Sequence, residues 1–110
     1  MRKIEYSRGA LRKLESIHQY ISETLKSPNA AAKVVESIIR QVSFLKESPM
    51  IGPGLSSRID SIPDRFSNTR FLVCDKHIVI YEIKKTKIQI LAIYHTTEDV
   101  FGRVLHELDR

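Results

Sequence analysis

Apolar residues recur along this chain with two different periods, and the places where the period changes divide it into elements. In Lys3–Tyr6, Ile4 and Tyr6 alternate with polar neighbours, the two-residue period of a short strand. Ser7 then stands where a helix cap belongs, and Leu11, Leu14, Ile17, Ile21 and Leu25 follow at spacings of three and four. That spacing predicts a helix to about Lys26, with Arg12, Lys13, Glu15, Gln19 and Glu23 largely off its apolar stripe. Lys26-Ser-Pro-Asn29 interrupts it, because Pro28 disfavours a helical residue before it and Asn29 is placed to cap the next helix. A second helix is expected from about Ala30 to Lys46, on Ala31, Val34, Val35, Ile38, Val42 and Leu45. So short a break between two amphipathic helices predicts an antiparallel hairpin.

Between Ser48 and Asn68 neither period holds. Pro49, Gly52, Pro53 and Gly54 oppose regular structure, and Ser56, Ser57, Ser61 and Ser67 continue a turn-rich passage. A long loop crossing back over the domain is expected, and a loop of that length in a small domain is either disordered or functional. The two-residue period then returns in Arg70–Asp75, His77–Lys84 and Lys87–Tyr94, divided at Asp75-Lys76 and Lys85-Thr86. Turns this short predict a meander of antiparallel strands. Alternation sends Ile78, Ile80 and Glu82 to one face and Val79, Tyr81 and Ile83 to the other. The helical hairpin is expected to cover one face, leaving the other as an exposed groove or a surface for a partner. A last helix is expected from Thr96 to about Leu108, with Asp99 near its N-terminus, where the helix dipole favours a carboxylate. The order β-α-α-β-β-β-α is an α+β fold, a helical hairpin on a small, mainly antiparallel twisted sheet. At 110 residues, one domain spanning 1–110 is expected.

Composition narrows the chemistry. A hydrophobic fraction of 42% with 28% charged residues is a globular balance. The formal charge of +5 is concentrated in the body of the chain. Residues 1–47 carry nine basic against five acidic groups, residues 48–95 seven against four, and the last fifteen residues two against four. Such a surface attracts polyanions before any specific recognition. No apolar run approaches the ~20 residues of a membrane span, so no membrane role and a cytoplasmic location are expected. The single cysteine, Cys74, has no internal disulfide partner, and the four histidines are too dispersed to indicate a zinc site. No metal and no cofactor are expected.

With these elements in order, the chain resembles the RelE/ParE superfamily of toxins from bacterial type II toxin–antitoxin modules. The likeness is carried by Ile4-Glu-Tyr-Ser-Arg-Gly-Ala-Leu-Arg-Lys-Leu-Glu-Ser-Ile-His-Gln-Tyr-Ile21 at the strand-to-helix opening and by Asn29-Ala-Ala-Ala in the hairpin. It continues in Leu45-Lys-Glu-Ser-Pro-Met-Ile-Gly52, Arg70-Phe-Leu-Val73, Ile78-Val-Ile-Tyr81 and Ile88-Gln-Ile-Leu-Ala-Ile-Tyr-His95, with Asp99 after it. The resemblance implies a growth-inhibiting toxin neutralised by a cognate antitoxin protein. Members resembling RelE cleave mRNA on the ribosome, and members resembling ParE poison DNA gyrase. The opening helix looks more like the ParE side, whereas His95 looks like several ribosome-dependent nucleases. The nuclease reading is placed first, a gyrase inhibitor without chemistry of its own second, and a non-toxic antitoxin-binding module third.

Metal-independent RNA cleavage requires a base for the 2′-hydroxyl, an acid for the leaving oxygen and cations for the phosphorane. His95, whose ring titrates in the useful range, Arg70, whose fork matches phosphate, and Tyr94 are the candidates for catalysis. Arg70 and His95 are expected to approach each other if the strands that carry them lie suitably. Tyr81 is a candidate for stacking on a base, and Arg58 and Arg65 in the loop for contacting phosphate or an acidic antitoxin segment. The alternatives are structural: strand-end capping for His95, an ion pair with Asp75 or Glu82 for Arg70, core packing for the tyrosines, and local pairing with Asp60 and Asp64 for the loop arginines. Cys74 reads as buried packing, and His18, His77 and His106 are assigned no role.

Overall fold

The computed structural model describes residues 2–108. β1 (Lys3–Tyr6) leads into α1 (Arg8–Gln19) and α2 (Pro28–Ser43), and a long connection reaches β2 (Thr69–Cys74), β3 (His77–Ile83), β4 (Lys87–His95) and α3 (Val100–Leu108). Among the described residues the strands form one sheet in the order β1-β4-β3-β2. β1 runs parallel to β4, and the other two pairings are antiparallel, so the sheet is mixed.

Ser7 fixes the first corner. Its hydroxyl accepts the Ala10 amide at 3.0 Å, capping α1, and donates to the Leu91 carbonyl at 3.0 Å. α1 passes into a single π-turn over Tyr20–Thr24, and the chain reverses through Lys26, whose φ of 57° is left-handed. α2 begins two residues earlier than the pattern indicates. Pro28 occupies the first helical turn, where its missing N–H is no loss, and Ser27 rather than Asn29 takes the cap position. At the far end, Ser37 and Gln41 of α2 donate to the Asp75 carboxylate at 3.2 and 3.3 Å, tying the hairpin to the β2–β3 turn. α3 starts at Val100 rather than Thr96 because Asp99 caps it, accepting the Gly102 amide at 3.2 Å.

The sheet separates two cores. Ala10, Leu14, Ile17, Ile38, Val42 and Leu45 of the helical layer pack on Val79, Tyr81, Ile88, Ile90 and Ile93. On the opposite face, Leu55 of the connection and Val100 and Val104 of α3 pack on Phe71, Ile78, Ile80 and Tyr94. The alternation read for β3 is therefore correct. The expectation that its second face stays open is not. Ile59 and Ile62 join Leu55 in covering it, because the connection is folded into two short 3₁₀ turns, Leu55–Ser57 and Asp64–Phe66. Residues 48–68 thus supply a third layer, and burying both faces of a sheet this apolar removes it from water.

Candidate functional site

Arg70 and Tyr81 sit at one end of the sheet, paired across β2 and β3, and both are spent on the molecule's own chain. Tyr81 is fully buried; its hydroxyl donates to the Pro49 carbonyl at 2.7 Å and accepts the Gly52 amide at 3.1 Å. Burial raises the Tyr81 phenol above its ordinary range, so it stays protonated and available as that donor. Arg70 donates to the Gly52 carbonyl at 2.6 Å and more distantly to the Met50 carbonyl at 3.4 Å. The Phe71 amide reaches the Pro53 carbonyl at 3.0 Å, and Gly54 bridges to Arg70 along the β2 edge. Gly52 is required here: a Cβ would stand 2.1 Å from the Phe71 carbonyl oxygen. Backbone carbonyls, rather than Asp75 or Glu82, take the Arg70 guanidinium.

His95 lies at the other end. β2 and β4 both run antiparallel to β3, so they point the same way. Arg70 shares a level with Tyr81 and Ile90, while His95 pairs with His77. The offset is four residues along β3, about 13 Å at strand rise, and two strand spacings across. The expected approach of Arg70 to His95 fails for this reason of direction.

A β-bulge in β4 decides which faces Tyr94 and His95 take. The register steps from Ile80↔Ala92 to Tyr81↔Ile90, leaving Leu91 without a partner on β3. Beyond the bulge the pleat is inverted, so Tyr94 packs in the α3 core while His95 joins the face covered by the helical hairpin. Tyr94 is buried, donates to the Glu107 carboxylate and lies under the Arg103 guanidinium, 5.9 Å from its ring centre. Burial and that bond to Glu107 hold its phenol well above the ordinary range. The three residues considered for catalysis therefore occupy three places: Arg70 on β2 against the loop, Tyr94 under α3, His95 at the other end beneath the helical hairpin.

The bulge also creates a pairing that the sequence analysis missed. Counting back from the Lys85-Thr86 turn without a slip sets His77 against Tyr94; the bulge sets it against His95, their ring centres 5.3 Å apart and nearly perpendicular. His95 Nδ1 accepts the Thr97 amide at 3.2 Å and lies 2.8 Å from the Thr97 hydroxyl. In the neutral ring the proton is thereby placed on Nε2. The His95 amide donates to Glu98 at 2.7 Å, which holds that carboxyl below its usual range, and Glu98 also faces Arg103 at 3.2 Å and Lys13 at 3.6 Å. His77 is only 8% exposed, and burial, with His95 and Lys13 nearby, pushes its ring below the usual histidine range.

These histidines border a cleft of about 560 Å³ between the helical hairpin and the sheet end. Lys13, Ser16, Lys76, His77 and His95 form its polar side, and Ile17, Ile21, Leu25 and Val34 its aliphatic side, with Tyr20 at the rim. Lys13, Tyr20, Lys76 and His77 had no place among the sequence candidates. Arg58 and Arg65 remain exposed on the loop layer: Arg58 lies over the Phe101 ring at 5.1 Å and Arg65 over Phe66 at 5.0 Å. Cys74 is fully buried, and burial raises its thiol to about 11, in keeping with packing. Among the described residues there is no group of three or more His, Cys, Asp or Glu placed to hold a metal ion. Nor is any described helix long and apolar enough to cross a membrane.

A toxin family and a solved structure are similar to this chain. The family described as the ParE toxin of the type II toxin–antitoxin system parDE matches residues 4–100. Among solved structures, a chain of the chromosomal ParDE toxin–antitoxin system from P. aeruginosa superposes with a TM-score of 0.69 at 27% identity. That likeness covers 86% of this chain and 96% of the other. No curated protein matches.

Proposed function

The chain belongs to the ParE toxin family of type II toxin–antitoxin systems, and from that premise we propose that it arrests growth by binding DNA gyrase, restrained by a cognate antitoxin. The observation that carries this reading is the dispersal of the groups an RNA-cleaving site would need to assemble. Arg70 is committed to the Gly52 carbonyl, Tyr94 is buried against Glu107, and His95 stands on another face and at another end. General acid–base catalysis requires its groups within hydrogen-bond reach of one substrate. A toxin that works by occupying a protein–DNA machine has no such requirement. The excess of basic over acidic groups in residues 1–95, sixteen against nine, favours encounter with a complex that carries DNA. The same charge suits an antitoxin with an acidic segment.

Induction without antitoxin tests the proposal, with DNA damage and mRNA integrity read from the same cultures. The expected result is an SOS response with gyrase-trapped DNA breaks, intact translated messages and toxicity retained by His95→Ala. New 5′ ends within codons, abolished by His95→Ala, would overturn it in favour of ribosome-dependent mRNA cleavage. Normal colony formation from a soluble, folded product would overturn it in favour of a non-toxic antitoxin-binding module.

A further inference from the structure

The cleft beside His77 has features that packing alone does not require. The His77 ring, 8% exposed, meets the edge of His95 and lines the cavity. The polar side of that cavity carries Lys13, Lys76, His77, His95 and the Ser16 hydroxyl. Lys13 and Lys76 bring ammonium groups, and the His95 tautomer set by Thr97 leaves an Nε2–H. Lys13 is only loosely held by Glu98, at 3.6 Å. Among the described residues no carboxylate lines the cleft. The opposite side is aliphatic, and Tyr20 at the rim is 56% exposed.

The volume of about 560 Å³ is that of a small-molecule site, which combines a mostly apolar wall with a few convergent polar groups. Two ammonium groups with no carboxylate in the lining favour an anion. Two ammonium groups and two imidazoles match the three terminal oxygens and double charge of a phosphate monoester better than the two oxygens of a carboxylate. An apolar wall beside an exposed tyrosine selects a flat, weakly polar body next to that anion. We propose that the cleft binds a nucleoside 5′-monophosphate group, its phosphate among Lys13, Lys76, His77 and His95 and its base against Tyr20. The group can come as a free mononucleotide or as the 5′-phosphorylated end of a strand. The proposal is independent of whether gyrase is the target.

The test titrates the purified toxin with AMP while following the ring protons of His77 and His95 by NMR. Inorganic phosphate, adenosine, and a trinucleotide with or without its 5′-phosphate serve as separate arms. AMP is expected to shift both rings and to bind at least tenfold more tightly than phosphate or adenosine alone. Lys76→Gln is expected to weaken AMP about tenfold, the loss of one charge-assisted hydrogen bond, and Tyr20→Ser about fivefold, the loss of one stacking contact. Both side chains are exposed, and unchanged circular dichroism and thermal midpoint establish that the variants fold. The 5′-phosphorylated trinucleotide binding as tightly as AMP identifies a strand end as the source; weaker binding identifies the free nucleotide. The proposal is overturned by unmoved His77 and His95 rings at millimolar AMP, by inorganic phosphate binding as well as AMP, or by folded variants that retain wild-type affinity.

Discussion

The two ends of the sheet carry similar side chains in opposite circumstances. At one end an arginine and a tyrosine meet the segment Pro49–Gly54, which takes up their polar groups. At the other, two histidines and two lysines border a cleft that no carboxylate lines among the described residues. A cation or a phenol in a small basic toxin is therefore not a site by virtue of its type. What separates the two ends is whether the chain has already supplied the carbonyls that the donors seek.

The comparison can be broken most severely at Gly52. Gly52→Ala drives a methyl group into the Phe71 carbonyl, and a loss of about 3 kcal/mol in urea unfolding is expected, enough to deplete soluble toxin. Tyr81→Phe keeps the packing but strands the Pro49 carbonyl and the Gly52 amide, for an expected loss of about 2 kcal/mol in the same measurement. Arg70→Met is expected to cost about 1 kcal/mol, with toxicity falling only as far as the folded fraction does. If Arg70→Met abolishes toxicity while leaving stability intact, the two ends are functionally reversed.

At the cleft end the lever is pH. The His77 ring in the folded chain lies below its ordinary value of 6.5, so the unfolded chain binds the extra proton first as pH falls. Stability is complete above the unfolded value and declines below it toward the lowered folded value. Glu98, also lowered but from 4.5, acts in the same direction only at more acid pH, so the range just below 6.5 isolates the histidine. His77→Gln is expected to flatten the decline between pH 7.5 and 5.5 in urea titrations. The smallest effect is expected at His95→Ala, which removes a partly exposed ring and leaves the backbone bond to Glu98 in place. A thermal midpoint within a few degrees of wild type is expected.

The elements themselves were legible because each rests on local periodicity. Leu14 and Ile17 on α1, Ile38 and Val42 on α2, and the opposed faces of β3 all pack as their spacing dictates. The candidate site was not legible, because it depends on one residue that no local signal marks. Leu91 reads as an ordinary apolar strand position, yet as the bulged residue it inverts the pleat beyond it, turning Tyr94 to the α3 core and delivering His95 to the cleft beside His77. Strand direction had a comparable effect: tight turns made the meander plain, but two such turns also force β2 and β4 to run alike, which keeps Arg70 from His95. The loop's role as a covering layer was hidden because Leu55, Ile59 and Ile62, though spaced by four and three, stand among prolines, glycines and serines that oppose a continuous helix.

The parallel pairing of the first strand with the last bears on how the toxin is born. Residues 3–6 find their partners at 87–90, so the N-terminal strand emerges from the ribosome long before anything can zip onto it. Until then α1 and α2 can associate, but the surface beneath them is absent, and such long-range closure is slow. A nascent chain halted before residue 87 lacks β4, and with it the centre of the sheet and every strand partner of β1.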